Sequence, residues 1–302
     1  HGRSSVKFWR SRQGVGVALI LLAALTFASM DTTTKFVTRV IPVLMLLWFR
    51  YVFQVLTTLV MRYPLQKAAL FRTRNLRFQL LRGVLLLITI TCSFFGLQHL
   101  PVGEFTAMMM LSPLVATAMS SWFLKTHVAR LRWWLLAGGL LGVSLVVRPG
   151  GQVFGWALVF PAVLVTCYAW FQVLTSHMSG EENLYTTHFY TGLVGALIMS
   201  LVLLLTGWSP ELLLTYWHWF LLVGCLGTVG HLMLIRAYMY ASAPVLTPYL
   251  YTQIGFATLG GWLMFDHMPD LWAWVGIATI AVSGVGNTLL TMREVSRLTR
   301  GS

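Results

Sequence analysis

Charge is what this sequence has least of, and acidic charge above all. Aspartate and glutamate together number 8 in 302 residues, and charged residues of every kind make up 10%. Soluble domains carry about 25% charged residues, so this chain cannot build a water-facing surface of ordinary size. Cysteine is equally sparse. Cys92, Cys167 and Cys225 all fall in apolar runs with no C-x-x-C spacing. That excludes a disulfide framework and a thiolate metal site, and it predicts free, buried thiols. No His/Cys/Asp/Glu grouping has metal-ligand spacing, so neither a metal nor another cofactor is expected. A membrane-embedded enzyme would need histidines or aspartates clustered near one membrane face, and none is visible. A channel would need a polar stripe repeating along one helix face, and no segment has one. No catalytic residue is expected.

Hydrophobic residues fill the gap at 57%, and the mean hydropathy is +0.75. Apolar runs of about 20 residues recur along almost the whole length, the mark of an all-α integral membrane protein. Ten spans are read at residues 14–38, 43–61, 78–98, 102–124, 131–147, 153–177, 185–206, 214–239, 244–265 and 271–291. No length remains for a second, soluble domain. The first run follows a basic start but lacks a small-residue cleavage site, and is read as a retained helix.

The formal charge is +13, which would suit nucleic acid if the basic residues shared a soluble face. They sit between spans instead, as topology signals, and no nucleic-acid partner is expected. With a cytoplasmic N-terminus, fifteen lysines and arginines fall inside and only Lys35, Arg39 and Arg148 outside. This bias puts both termini in the cytoplasm and the chain in the cell's inner (plasma) membrane. One inside loop departs from it: Ser179-Gly180-Glu181-Glu182-Asn183 has acids and no base. The three remaining basic residues, Arg50, Arg82 and Arg236, lie within spans, where an arginine costs about 2.5–3.5 kcal/mol on insertion scales.

A shift of 139 residues lays the first span on the sixth, with Gly16 on Gly155 and Tyr51 on Tyr190. A shift of 141 lays the fourth and fifth on the ninth and tenth, with Thr106 on Thr247 and Trp133 on Trp274. Residues 14–147 and 153–291 thus form two halves of five spans. An odd number forces the halves into opposite senses, giving inverted repeats around a central cavity, a recurring plan of secondary transporters.

Several phrases carry a family likeness. Met30-Asp31-Thr32-Thr33-Thr34-Lys35 follows the first span, and Trp48-Phe49-Arg50-Tyr51 lies in the second. Leu100-Pro101-Val102-Gly103-Glu104 leads to Leu111-Ser112-Pro113-Leu114, and Ile235-Arg236-Ala237-Tyr238 precedes the ninth span. Together with the two five-span halves, these resemble the EamA type of the drug/metabolite transporter superfamily over residues 14–291. The resemblance implies a ten-helix carrier with a central substrate cavity, working by alternating access and often exporting amino acids or other metabolites. One departure stands out. The family usually has an acid where the fourth span ends, whereas Phe123-Leu124-Lys125 has a lysine; the second half keeps Asp266.

Candidate substrate contacts are polar or aromatic groups inside spans. Arg50 is the deepest arginine, and its planar fork suits a carboxylate. Trp48 and Tyr51 flank it and could share its face. Tyr190 marks the matching place in the other half, where Phe189 aligns with Arg50, so the positive charge is expected from the first half alone. Arg82 equally suits snorkelling to the membrane surface, and Arg236 lies near the inner end of its span. Asp31 suits either a cavity wall or a local pair with Lys35 four residues on. Trp170, Tyr249 and Gln253 complete the set, because polar tips deep in a helix need partners. Glu104, in a first helical turn after Pro101, suits helix-terminus duty; if buried it could carry a proton, and His188 and His231 are the other proton-coupling candidates. Glycines in the fifth and tenth spans predict close packing of those two, and Pro113, Pro161 and Pro248 predict bends.

The expected partners are therefore a small-molecule substrate, the lipid bilayer and protons as coupling ion, in a monomer or weak dimer. Three intramembrane arginines favour an amino acid or similar carboxylate-bearing zwitterion, with export as the expected direction. An organic anion is the next choice, and a lipophilic cation or drug the last.

Overall fold

The computed structural model describes residues 2–123, 125, 128–178, 181–241 and 243–300, without the side chains of 2–12, 176, 238, 243–245, 295 and 298–300. Leu124, Ser179 and Gly180 thus lie outside the described residues. Arg3, Lys7, Arg10, Arg12, Tyr238 and Arg300 lie outside the described side chains.

Nine helices among the described residues are long and apolar enough to cross a membrane. Ala243–Leu250 and Thr252–Phe265 together make a tenth crossing. The chain is an all-α, multi-pass membrane protein. In order, the crossings are Gly2–Val37, Val43–Gln66, Leu76–His99, a fourth in two pieces (Val102–Met109 and Ser112–Phe123), and Arg130–Val147. The second half follows with Val159–Met178, Leu184–Thr206, Trp217–Tyr240, the two-piece ninth, and Leu271–Arg300. Their ends follow local chemistry. Asn183 caps the seventh helix by accepting from the Tyr185 amide at 2.9 Å, and Asp270 caps the tenth by accepting from Ala273 at 2.8 Å. Gly207, at φ +94°, ends the seventh. Large apolar side chains such as Leu204, Leu205 and Trp122 face outward, as a lipid-facing surface requires.

Helix packing repeats the sequence symmetry. The first helix packs on the eighth and the third on the sixth, a pair that the repeat exchanges. Likewise the first packs on the ninth and the sixth on the fourth, while second meets seventh, fourth meets ninth and fifth meets tenth. The result is two inverted five-helix repeats. The first helix begins and the tenth ends at one end of the bundle, the terminal face; the other end is the opposite face.

The fifth and tenth helices cross at glycines, as the sequence predicts. A Cβ on Gly142 would stand 2.7 Å from the Gly276 carbonyl oxygen, so only glycine allows the approach. Both ends of this pair are clamped. Arg132 donates to Asn287, Thr291 and Glu294 at 2.7, 3.0 and 2.7 Å, and Arg148 donates to Asp270 at 2.8 Å.

The fourth and ninth crossings differ from the unbroken spans that hydropathy suggests. Pro113 has no N–H for the Met109 carbonyl, and the Ser112 hydroxyl donates to it instead at 2.7 Å. At the ninth crossing's break the Thr252 hydroxyl donates to the Tyr249 carbonyl at 2.6 Å. Pro161 makes no comparable break, because it falls in the first turn of the sixth helix, where no intrahelical donor is needed. The second helix runs past the expected residue 61 to Gln66, with Pro64 inside it.

Glu182 explains the loop without basic residues. Its carboxylate accepts from the Thr73 hydroxyl at 2.8 Å and from the Arg74 and Asn75 amides at 2.7 and 3.2 Å. A residue of the second half thus covers the positive N-terminus of the third helix in the first half.

Candidate functional site

Arg50 lies seven residues into the second helix, about 10 Å along its axis. Its side chain crosses the eighth helix at Gly227, where a Cβ would stand 3.5 Å from Nε. The guanidinium carbon is 5.8 Å from the Tyr51 ring centroid and 5.9 Å from that of Phe94. Arg50 is only 7% exposed, yet among the described residues its Nε and Nη1 have no hydrogen-bond partner. Unmade hydrogen bonds to a buried cation are costly, about 1–3 kcal/mol for each group and more when charged. Asp31 is the acid within electrostatic reach, but no ion pair within 4.0 Å joins the two among the described residues. Asp31 is itself buried, with Gln253 beside its carboxylate.

Beside Arg50 is a small cavity, on the scale of one water molecule, walled by Gln54, His188, Thr228 and His231. Gly224 and Gly227 bring the backbone of the eighth helix close to it. Gln54 donates to the His188 carbonyl at 3.1 Å. The Nδ1 of His231 lies 2.9 Å from the Gly227 carbonyl, so this nitrogen carries the hydrogen and Nε2 presents a lone pair in the neutral ring. The His188 and His231 rings are 5.6 Å apart, and Phe27 stands edge-on to His231 at 5.1 Å. A second cavity continues from His188 and Thr228 toward the terminal face. At its floor Arg62 stacks on Tyr185, 3.5 Å from the ring centroid, and donates to the Tyr185 hydroxyl.

Of the residues singled out in the sequence, Arg50, His188 and His231 line one cavity, with Asp31 and Gln253 close by. The others lie elsewhere, several of them satisfied by their own partners. Trp48 donates to Ser200 at 2.8 Å and packs on Trp208, away from Tyr51. Tyr51 is fully buried against Gly195 of the seventh helix, its hydroxyl without a partner among the described residues. The ring and the charge therefore do not form one face with Trp48. Arg82 donates to Thr175 at 2.9 Å and Gln79 at 3.3 Å and lies 4.5 Å over the Phe171 ring. It is buried, so it does not snorkel. Tyr190 donates to the Phe71 carbonyl at 2.7 Å, Trp170 packs on Phe123, and Arg236 and Tyr249 are exposed.

Lys35 does not pair with Asp31. It donates to the Leu97 and Leu100 carbonyls at 2.9 and 2.8 Å, filling acceptors left open at the end of the third helix. Glu104, 1% exposed, faces His267 with 2.9 Å between Oε1 and Nε2. Sequence reasoning missed Gln54, Thr228, Gly227 and His267. Gln54 could have been found, since it follows Arg50 by one turn. The spacing Gly224, Gly227, Gly230 also marked a helix face open to close approach. Nothing local tied His267 to Glu104, because 163 residues separate them.

Two stretches, residues 14–148 and 155–289, match the EamA-like transporter family. The pseudopaline exporter CntI of Pseudomonas aeruginosa is 26% identical over 273 residues, covering 89% of this chain and 94% of that one. A riboflavin transporter of Rhizobium johnstonii is 27% identical over 292 residues, covering 96% and 95%. An S-adenosylmethionine uptake transporter of Rickettsia bellii is 22% identical over 256 residues, covering 85% and 87%. One solved crystal structure superposes with a TM-score of 0.58 at 16% identity, covering 94% of this chain and 98% of its own, a likeness of fold alone. With both of its halves matched, the chain belongs to the EamA-like transporter family.

Proposed function

We propose that this chain is a secondary active carrier that moves a small carboxylate-bearing metabolite, an amino acid or similar zwitterion, by alternating access. The observation that carries this reading is Arg50, a buried cation with unfilled donors beside a cavity between helices of both halves. A carboxylate would satisfy the fork with two parallel bonds. Asp31, nearby and outside ion-pair range, favours a ligand that also bears an ammonium group over a simple organic anion. A lipophilic cation would meet Arg50 unfavourably. The relatives are named for pseudopaline, riboflavin and S-adenosylmethionine and include both an exporter and an uptake protein. Export is therefore read from the resemblance, and inner-membrane placement with cytoplasmic termini from the basic loops.

Protons are the proposed coupling ion. The buried Glu104, facing His267 across the fourth and ninth crossings, is the leading group to carry one. Counterflow in proteoliposomes with a panel of amino acids, carboxylates and amines tests the carrier and its cargo together. Saturable exchange of amino acids that fails in Arg50→Lys supports the reading, and exchange of amines alone overturns it. Glu104→Gln is expected to keep counterflow and lose accumulation driven by a pH gradient.

A further inference from the structure

The cavity that continues from Arg50 has a chemistry of its own. Thr57 and Thr58 line it, yet both hydroxyls are spent on their own helix. Thr57 donates to the Phe53 carbonyl at 2.7 Å and Thr58 to the Gln54 carbonyl at 2.7 Å. Each bonded threonine has its methyl group left to offer. Met61 follows on the same helix face, and Leu232 and Ile235 form the facing wall on the eighth helix. At the floor, the Arg62 and Tyr185 polar tips meet each other. From Arg50 to Met61 the second helix rises about 16 Å at 1.5 Å per residue. The cavity beside Arg50 and this mostly apolar one, itself on the scale of one or two water molecules, share His188 and Thr228 in their walls.

We propose that this cavity marks a tail subsite, widened when the second and eighth helices part to admit cargo, and that the ligand is an amphipathic carboxylate, its head at Arg50 and an apolar chain lying toward the terminal face. This rests on Arg50 being the carboxylate contact, and it adds a rule of selection that Arg50 alone does not supply. Small, polar amino acids would fill only the head. Ligands with longer aliphatic or aromatic side chains would also displace poorly bound water from the wall of Met61, Leu232 and Ile235, and bind more tightly for it.

Calorimetry on the purified full chain tests this with alanine, norvaline, norleucine and 2-aminooctanoate, and with 2-aminosuberate, whose tail ends in a second carboxylate. Affinity is expected to rise about fourfold per methylene in the monocarboxylates. Ile235→Phe and Leu232→Phe should erase that rise while alanine binds as before, and Arg50→Gln should weaken every member. The wild-type series decides without any variant should one fail to fold. A flat series that still depends on Arg50 overturns the tail subsite and leaves the carboxylate reading standing. A rising series indifferent to Arg50→Gln overturns the carboxylate reading and, with it, the placement of the tail. Tighter binding of 2-aminosuberate than of 2-aminooctanoate would make Arg62 a second anion contact and overturn the apolar tail. Absence of binding by every member overturns both.

Discussion

The Tyr251 hydroxyl donates to the Met110 carbonyl at 3.2 Å, so that the helix break of one half is bonded to the helix break of the other. Met110 closes the first piece of the fourth crossing, and Tyr251 separates the two pieces of the ninth. Each break leaves backbone groups without helical partners, which is tolerated at membrane depth only inside protein. The ring also lies directly against Gly284 of the tenth helix, with no space for a Cβ.

Tyr251→Phe is expected to cost about 1–2 kcal/mol, because it strands a buried carbonyl. Gly284→Ala should cost about 1–3 kcal/mol by overpacking the ring. Thermal unfolding in detergent measures both. If Tyr251→Phe unfolds at the wild-type temperature, the bond between the breaks contributes nothing.

Arg132 and Glu294 should respond unequally to removal. Arg132 is 8% exposed and donates to three side chains, whereas Glu294 is 50% exposed. Glu294→Ala is expected to cost under about 1 kcal/mol, since an exposed partner is screened by solvent. Arg132→Ala should cost about 3 kcal/mol, leaving Asn287 and Thr291 without their donor at the fifth–tenth interface. Equal losses in the two variants would contradict this division.

Glu182→Ala should destabilise the start of the third helix by about 1 kcal/mol, the usual loss of an N-terminal cap. Glu182→Gln keeps an acceptor oxygen and should lose less. Hydrogen exchange at the Arg74 and Asn75 amides reads the effect directly, with faster exchange expected in Glu182→Ala than in Glu182→Gln.

Asp270 gives a pH dependence. The hydrogen bond from Arg148, and after it the Ala273 amide, hold its carboxyl below the usual carboxylate value. A carboxyl lowered by folding stabilises the folded chain fully above its unfolded value of about 4 and loses that contribution as pH falls through the lower folded value. Asp270→Asn should therefore be less stable than wild type at neutral pH, and the gap should close below about pH 4. Both members of the pair are partly exposed, so the effect is small and shrinks further in high salt. Stability curves of the two proteins from pH 7 to pH 3 provide the comparison.

Ten crossings, inverted halves and the fifth–tenth packing were legible in the sequence. Run length, an odd number of spans per half and glycine spacing act locally or through symmetry. Arg50 was legible as a charge too deep in an apolar helix. Its lack of partners was not, since partners come from other helices. Arg82 looked similar in sequence, but Thr175, 93 residues on, and the Phe171 ring are folded against it. Around Arg50 the neighbouring positions hold a glycine, two aromatic rings and an acid outside ion-pair range. Glu104 met His267, and Lys35 turned from Asp31 to two carbonyls, for the same reason. Sequence alone determined how many times the chain crosses, because transfer of apolar side chains into lipid is decided segment by segment. Which buried polar groups are satisfied and which are left without a partner was decided only by tertiary structure, because hydrogen bonds inside the bundle are made between helices far apart in the chain.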